Sequence, residues 1–215
     1  MADHQHNRDI QQFFNHSASA YARQINTWIT RKRADFIRTV ARGRVLDVGV
    51  GPGQLAKLYS PSPLVAIDIS LKMVGLARER LRRTGFVVGD AEELPFRRGS
   101  FDTVIGSELF YYLADPRNFL RDVRRVLAPG GRIVLLWGNP TFNGVYRIAS
   151  LAGLRPNDPL GLTTPSGAYV LAMLMAEFSP SRTELHGIGL PFGLSKIKAG
   201  PILAVSPVTA VVAEL

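Results

Sequence analysis

The chain has 215 residues, 46% of them apolar, which is enough for one domain with a full core. It has no cysteines for disulfides, thiolate metal sites or a cysteine nucleophile, and no run near the ~20 apolar residues of a membrane span. The formal net charge of +9 is mostly arginine, spread over positions 31–33, 78–83, 97–98 and 117–125.

In chain order, residues 8–42 read as helical, with Trp28, Ile29, Phe36, Ile37 and Val40 recurring at helical spacing among basic residues. Residues 44–48 form a short apolar strand that runs into Gly49, Gly51 and Gly53. Such a turn lets backbone approach a ligand closely, and a helix starting near Gln54 aims its free N–H groups at the same spot. Asp47 sits two positions before the first of these glycines. Residues 64–68 give a second strand that ends in Asp68. A helix follows over 70–83, with Leu71, Val74 and Leu76 facing inward. Residues 86–90 give a third strand ending in Asp90, and 101–107 a fourth ending in Ser107. Asp115 and Pro116 mark a helix start, which buries Phe119, Leu120, Val123, Val126 and Leu127. That helix stops at Pro129-Gly130-Gly131, and a fifth strand covers 132–137.

These strands are continuous apolar runs rather than alternating ones, so a parallel sheet covered on both faces is expected. After Trp137 the rhythm breaks. Residues 138–180 hold Gly, Pro and Asn clusters and an apolar helix-like piece over 169–178. Strand-like text returns at 183–190 and 202–212, in an order the sequence leaves open. The expected architecture is one α/β domain with a Rossmann-like, doubly wound, mostly parallel seven-stranded sheet. Its parts are a helical cap over 1–42, a core over 43–137, a variable substrate-side segment over 138–182 and C-terminal strands over 183–215.

A glycine turn alone fits dinucleotide, nucleotide and S-adenosylmethionine binders alike. The acids narrow the field. Asp68, nineteen positions after Gly49, is placed to accept hydrogen bonds from both ribose hydroxyls. Asp90, at the next strand end, is placed to meet an adenine edge. Taken together, VLDVGVGPG, VAIDIS, VVGDAEELPF, FDTVIGSELFYYLADP and VLAPGGRIVLLW resemble the class I S-adenosylmethionine-dependent methyltransferases. The likeness is greatest to the group that includes the quinone-biosynthesis methyltransferases, and it covers residues 44–137 in order.

The resemblance implies S-adenosylmethionine as cofactor and S-adenosylhomocysteine as product. It implies that Asp47 and the turn of Gly49, Gly51 and Gly53 hold the methionine end. Asp68 would hold the ribose, Ile69 and Met73 would flank the adenine, and Asp90 and Ala91 would meet its amino edge. Ser107 would line the channel near the sulfonium, and Tyr21, on an N-terminal lid, would touch the cofactor carboxylate. Alongside these roles stand plainer ones: Asp47 as a carboxylate that only pins the turn, and Met73 as helix core.

Methyl transfer is an in-line displacement, so alignment supplies much of its rate, and a hydroxyl acceptor needs a base or an orienting hydrogen bond. The family often shows histidines just after the fourth strand, where this chain has Tyr111 and Tyr112. The Asn/Asp-Pro-Pro-aromatic box of many nucleobase amino-methylating enzymes is also absent there. No base is evident. Tyr112 and His16 are the candidates, against packing and surface roles. The histidines His4, His6, His16 and His186 show no metal-ligand spacing with carboxylates, so no metal is expected.

Phe142, Tyr146, Leu151, Leu154, Leu160, Leu162 and the piece at 169–178 make the acceptor wall apolar. A small hydrophobic or lipid-like acceptor is therefore expected. The charge alone supports the alternative of a tRNA or rRNA methyltransferase. Outward helix faces account for it better, since no basic run is interleaved with stacking aromatics. A non-catalytic cofactor-binding subunit or regulator is the alternative of another class. The polar opening MADHQHNRDIQQFF lacks the apolar stretch of a signal peptide, so a cytoplasmic location is expected, with no membrane span. The sequence leaves the oligomeric state open.

Overall fold

Short apolar strands separated by amphipathic helices assemble into one seven-stranded sheet. The structure is a computed structural model, and it describes residues 2–24, 27–59, 63–139, 166–188 and 208–215. Two helices open it, α1 (Ala2–Gln24) and α2 (Thr27–Val40). The alternating part runs β1 (Val45–Val48), α3 (Gln54–Tyr59), β2 (Leu64–Asp68), α4 (Leu71–Arg80), β3 (Thr84–Val88) and β4 (Phe101–Ser107). A short 3-10 turn at Phe110–Tyr112 leads to α5 (Pro116–Val126) and β5 (Leu127–Gly138). Then come α6 (Gly167–Met173), β6 (Arg182–Ile188) and β7 (Val208–Glu214).

The sheet order is β3-β2-β1-β4-β5-β7-β6. Strands β1 to β5 pair in parallel, and β7 runs antiparallel to both β5 and β6. The order of the last two strands, open from sequence, is thus fixed by β7 inserting between β5 and β6. The chain leaves β1 toward β2 on one side and later returns to place β4 on the other. Ligands in such sheets lie in the crevice at the carboxyl ends of the strands flanking that reversal.

Pleating sends alternate β1 residues to opposite layers. Leu46 and Val48 pack with Phe119, Leu120, Val123 and Val126 of α5 and with Val170 of α6. Val45 packs with Ala34 and Ile37 of α2, Ala56 and Tyr59 of α3, and Ala77 of α4. Both faces of the central strands are therefore dry, which is why they read as unbroken apolar runs. Asp115 caps α5, its Oδ1 accepting from the N–H of Arg117 at 2.9 Å, with Pro116 in the first turn.

Four expectations need correcting. Trp28 is half exposed on α2 (50%), and Leu71, at the first turn of α4, is 63% exposed. The inward face of α4 is instead Met73, Val74 and Ala77. Strand β5 begins at Leu127, earlier than the 132–137 expected, because Leu127 pairs with Phe101 before a register shift brings Arg132 opposite Thr103. Beyond Met173 the helix widens to a π turn over Leu174–Phe178 and ends at Ser179 with φ +49°. Phe142, Tyr146, Leu151, Leu154, Leu160 and Leu162 lie outside the described residues.

Candidate active site

The carboxyl ends of β1 and β4 open into a cavity of about 710 Å³, part of it facing solvent. Gly49 and Gly51 from the turn after β1 line it, with Asp68 and Ile69 after β2, Met73 on α4, and Asp90 and Ala91 after β3. Ser107 and Glu108 at the end of β4 and Tyr112 just beyond close the opposite side, and Tyr21 of α1 reaches over it.

The turn is shaped for close approach. Gly51 has φ +54°, and a Cβ added there would meet nothing within 4 Å, so it would project into open space. Gly53 serves packing instead: a Cβ there would sit 3.0 Å from the Cα of Ala77 on α4. Asp68 ties the two sides together. Its Oδ2 accepts from the Gly51 N–H at 2.8 Å, and its Oδ1 from the Ser70 N–H at 2.9 Å. Burial pushes the Asp68 carboxyl up, and those two backbone donors oppose the shift. The β3 end is also pinned, with Asp90 Oδ1 accepting from the Glu92 N–H at 2.9 Å. Glu92, 8% exposed, lines the cavity and accepts from the Ala114 N–H at 2.6 Å.

Three sequence-derived candidates lie elsewhere. Asp47 points into the layer under α3, 3% exposed, where Tyr59 Oη donates to its Oδ2 at 2.5 Å. Burial raises its carboxyl to about 7. Gly53 packs on α4, as above. His16 is exposed on α1 and outside the cavity wall.

Sequence reasoning put Tyr21 on an N-terminal lid but missed the other α1 residues of the cavity wall. Asn7, Ile10 and Phe14 line the cavity together with Tyr21, at spacings of three, four and seven. That periodicity is one helix face and was available to read. Docking bonds accompany it. His6 Nε2 bonds the Tyr112 carbonyl at 3.0 Å, Gln11 donates to the Ile69 carbonyl at 2.9 Å, and Asn15 Oδ1 accepts from Ser70 Oγ at 2.8 Å. Phe14 meets Tyr112 edge to face, with ring centres 5.0 Å apart.

Glu108 is the other missed residue. Its φ of +56° is unusual for a side chain of this size, and such strain concentrates at functional sites. Arg33 of α2 and the Tyr111 hydroxyl both donate to its carboxylate. Burial, reinforced by Glu108, raises Tyr21 to about 12 and Tyr111 well above the usual phenol range. Both tyrosines therefore stay protonated donors at neutral pH.

The donor set suits a nucleoside with a charged tail. Acids stand at two adjacent strand ends, and Ser107 Oγ is buried at the cavity with no hydrogen-bond partner among the described residues. Among those residues no three His, Asp or Glu side chains gather to hold a metal ion, and no helix is long and apolar enough to cross a membrane.

Comparison with known proteins agrees with this geometry. Residues 46–135 match the family model described as a methyltransferase domain. A demethylmenaquinone methyltransferase of Thermotoga maritima is 39% identical over 111 residues, 49% of this chain and 48% of that protein. The chain spans about half the length of the curated relatives it matches. A solved S-adenosylmethionine-dependent methyltransferase of Thermotoga maritima superposes with TM-score 0.74 at 18% identity, covering 95% of this chain and 98% of that one. Magnesium protoporphyrin IX methyltransferase from Synechocystis, solved with bound S-adenosylhomocysteine, gives TM-score 0.66 at 18% identity, covering 97% and 99%.

Proposed function

We propose that this chain, which matches a methyltransferase domain over residues 46–135, is a class I S-adenosylmethionine-dependent methyltransferase that moves a methyl group from S-adenosylmethionine to a small, hydrophobic acceptor. The observation that carries this reading is the meeting of the glycine turn, Asp68 and Asp90 on one cavity at the sheet's reversal point. Asp68 offers the spare lone pairs of a fixed carboxylate to a ribose diol. Asp90 and Ala91 face the base, and Ile69 and Met73 flank it. Gly49 and Gly51 give room for the methionine tail, and Ser107 Oγ is free to donate near the reacting centre. Tyr21, a permanent donor, is aimed at the same space. Asp47 is held by Tyr59 of α3 outside the cavity wall and is given no contact with the cofactor.

The cofactor supplies a methyl group on a positively charged sulfur, primed for displacement. What the protein adds is alignment and exclusion of water. Phe14, Leu109, Tyr112 and Leu113 supply apolar wall to the cavity, which favours an apolar acceptor. The relative named for demethylmenaquinone has such an acceptor in its name. Tyr112 is the residue we place against the acceptor. His16 is given no role, being outside the wall.

The test is transfer of labelled methyl from S-adenosylmethionine into a cell extract, followed into lipid, small-molecule, RNA and protein fractions. Label in the lipid or small-molecule fraction is expected. Label confined to RNA, or in no fraction while the cofactor still binds, would contradict the acceptor or the activity respectively.

A further inference from the structure

We infer that Asn7, on α1, reads the base of the bound nucleoside jointly with Asp90 and so sets the protein's preference for an adenine over a 6-oxopurine. The inference rests on the proposed cofactor and adds a specificity residue that the strand-end pattern does not contain.

The observations are local. Asp90 lines the cavity, and its Oδ1 is held by the Glu92 N–H at 2.9 Å, which fixes the carboxylate and leaves Oδ2 for other partners. Asn7 Nδ2 donates to that Oδ2 at 2.7 Å, across 83 residues of sequence. Both side chains line the cavity, and both are partly buried. An amide nitrogen carries two hydrogens and a carboxylate oxygen two lone pairs. Each partner therefore keeps one bonding position after their mutual bond. The pair presents a donor and an acceptor side by side.

An adenine edge carries the complement, an exocyclic amino donor beside a ring-nitrogen acceptor. The amino group can donate to Asp90 while the ring nitrogen accepts from Asn7. A 6-oxopurine puts a carbonyl where the amino group would be, facing the Asp90 carboxylate, and beside it a protonated ring nitrogen that cannot accept from Asn7. With the ribose held at Asp68, the base cannot turn over to exchange the two positions. Neighbouring α1 contacts fix Asn7 in place: His6 to the Tyr112 carbonyl and Gln11 to the Ile69 carbonyl bracket it on the helix. Gln11 docks α1 without presenting a group to the base, which makes it the control.

Calorimetry on the full chain titrates S-adenosylhomocysteine and its hypoxanthine counterpart, S-inosylhomocysteine, into wild type, Asn7→Ala and Gln11→Ala. The wild type should prefer the adenine compound at least tenfold. Asn7→Ala should weaken the adenine compound about tenfold and the hypoxanthine compound less than twofold, so that the preference falls at least fivefold. Gln11→Ala should change both by the same factor. Equal weakening of both compounds in Asn7→Ala would reduce Asn7 to a docking residue and overturn the inference. So would unchanged affinities, or the same selective loss in Gln11→Ala. If wild type bound neither compound, the cofactor assignment itself would fall, and this inference with it.

Discussion

The hydroxyl of Tyr59 on α3 donates a 2.5 Å hydrogen bond to the buried carboxylate of Asp47. Burial raises the Asp47 carboxyl from 3.8 to about 7, only partly offset by that bond. The folded state thus binds a proton more tightly than the unfolded chain. Between pH 4 and 7 the native state holds more protons, so stability falls as pH rises through that window and the loss is complete above about 7. Replacing Asp47 by Asn removes the charge. Urea unfolding at pH 5 and pH 8 should show wild type losing stability and Asp47→Asn losing roughly 2–4 kcal/mol less. An equal loss in both would mean that Asp47 does not titrate in this window.

Asp68 offers a different contrast. Its two oxygens accept from Gly51 and Ser70 at 2.8 and 2.9 Å, so it shapes the turn as well as facing the cavity. Asp68→Ala should weaken S-adenosylhomocysteine by about 1.5–3 kcal/mol, since a charged acceptor for two hydroxyls is lost. Binding calorimetry on the folded variant checks it. Unchanged affinity would exclude Asp68 as the ribose acceptor.

Arg33 and Glu108 form an ion pair with side chains 15% and 22% exposed. Removing one charge strands the other in a poorly hydrated place. Glu108→Ala should cost about 1–3 kcal/mol of stability, and Arg33→Met added to it should recover part of that loss. The cycle is measured by denaturant unfolding. Strict additivity of the two substitutions would show that the pair is not coupled.

Helix α1 holds to the site through the His6, Asn7, Gln11 and Asn15 bonds and the Phe14 ring. Ligand that reaches Asp90 and Tyr21 must therefore touch α1 as well. In hydrogen exchange, S-adenosylhomocysteine should slow the amides of β1, the glycine turn and Asp68, and those of α1 between Asn7 and Tyr21. Amides in α1 that ignore the ligand would make this helix fixed scaffold and remove the role of Tyr21.

Much of this was legible in the sequence, and the reasons are physical. Strands β2 and β4 are largely buried, so each reads as an apolar run that ends in a polar residue at the cavity rim. Asp68 and Ser107 were found that way, and Asp90 two residues beyond the edge strand β3. The α1 wall was harder. Asn7 is polar, and the helix that carries it buries only a narrow stripe, so its contribution shows only once Ile10, Phe14 and Tyr21 are counted on the same face. Glu108 was hidden for another reason: its partners, Arg33 and Tyr111, come together only through the fold. Leu71 misled because an apolar residue at a helix start has no obligation to face inward; Ser70, not Leu71, makes the buried contact there, capping α4 through Met73.

Titration of the purified chain with S-adenosylmethionine, with NAD as the competitor cofactor, tests the central claim most directly. The account predicts saturable binding at one site per chain in the micromolar range, about −8 kcal/mol, with no metal added and no response to NAD. Saturable NAD binding with no heat from S-adenosylmethionine would contradict it.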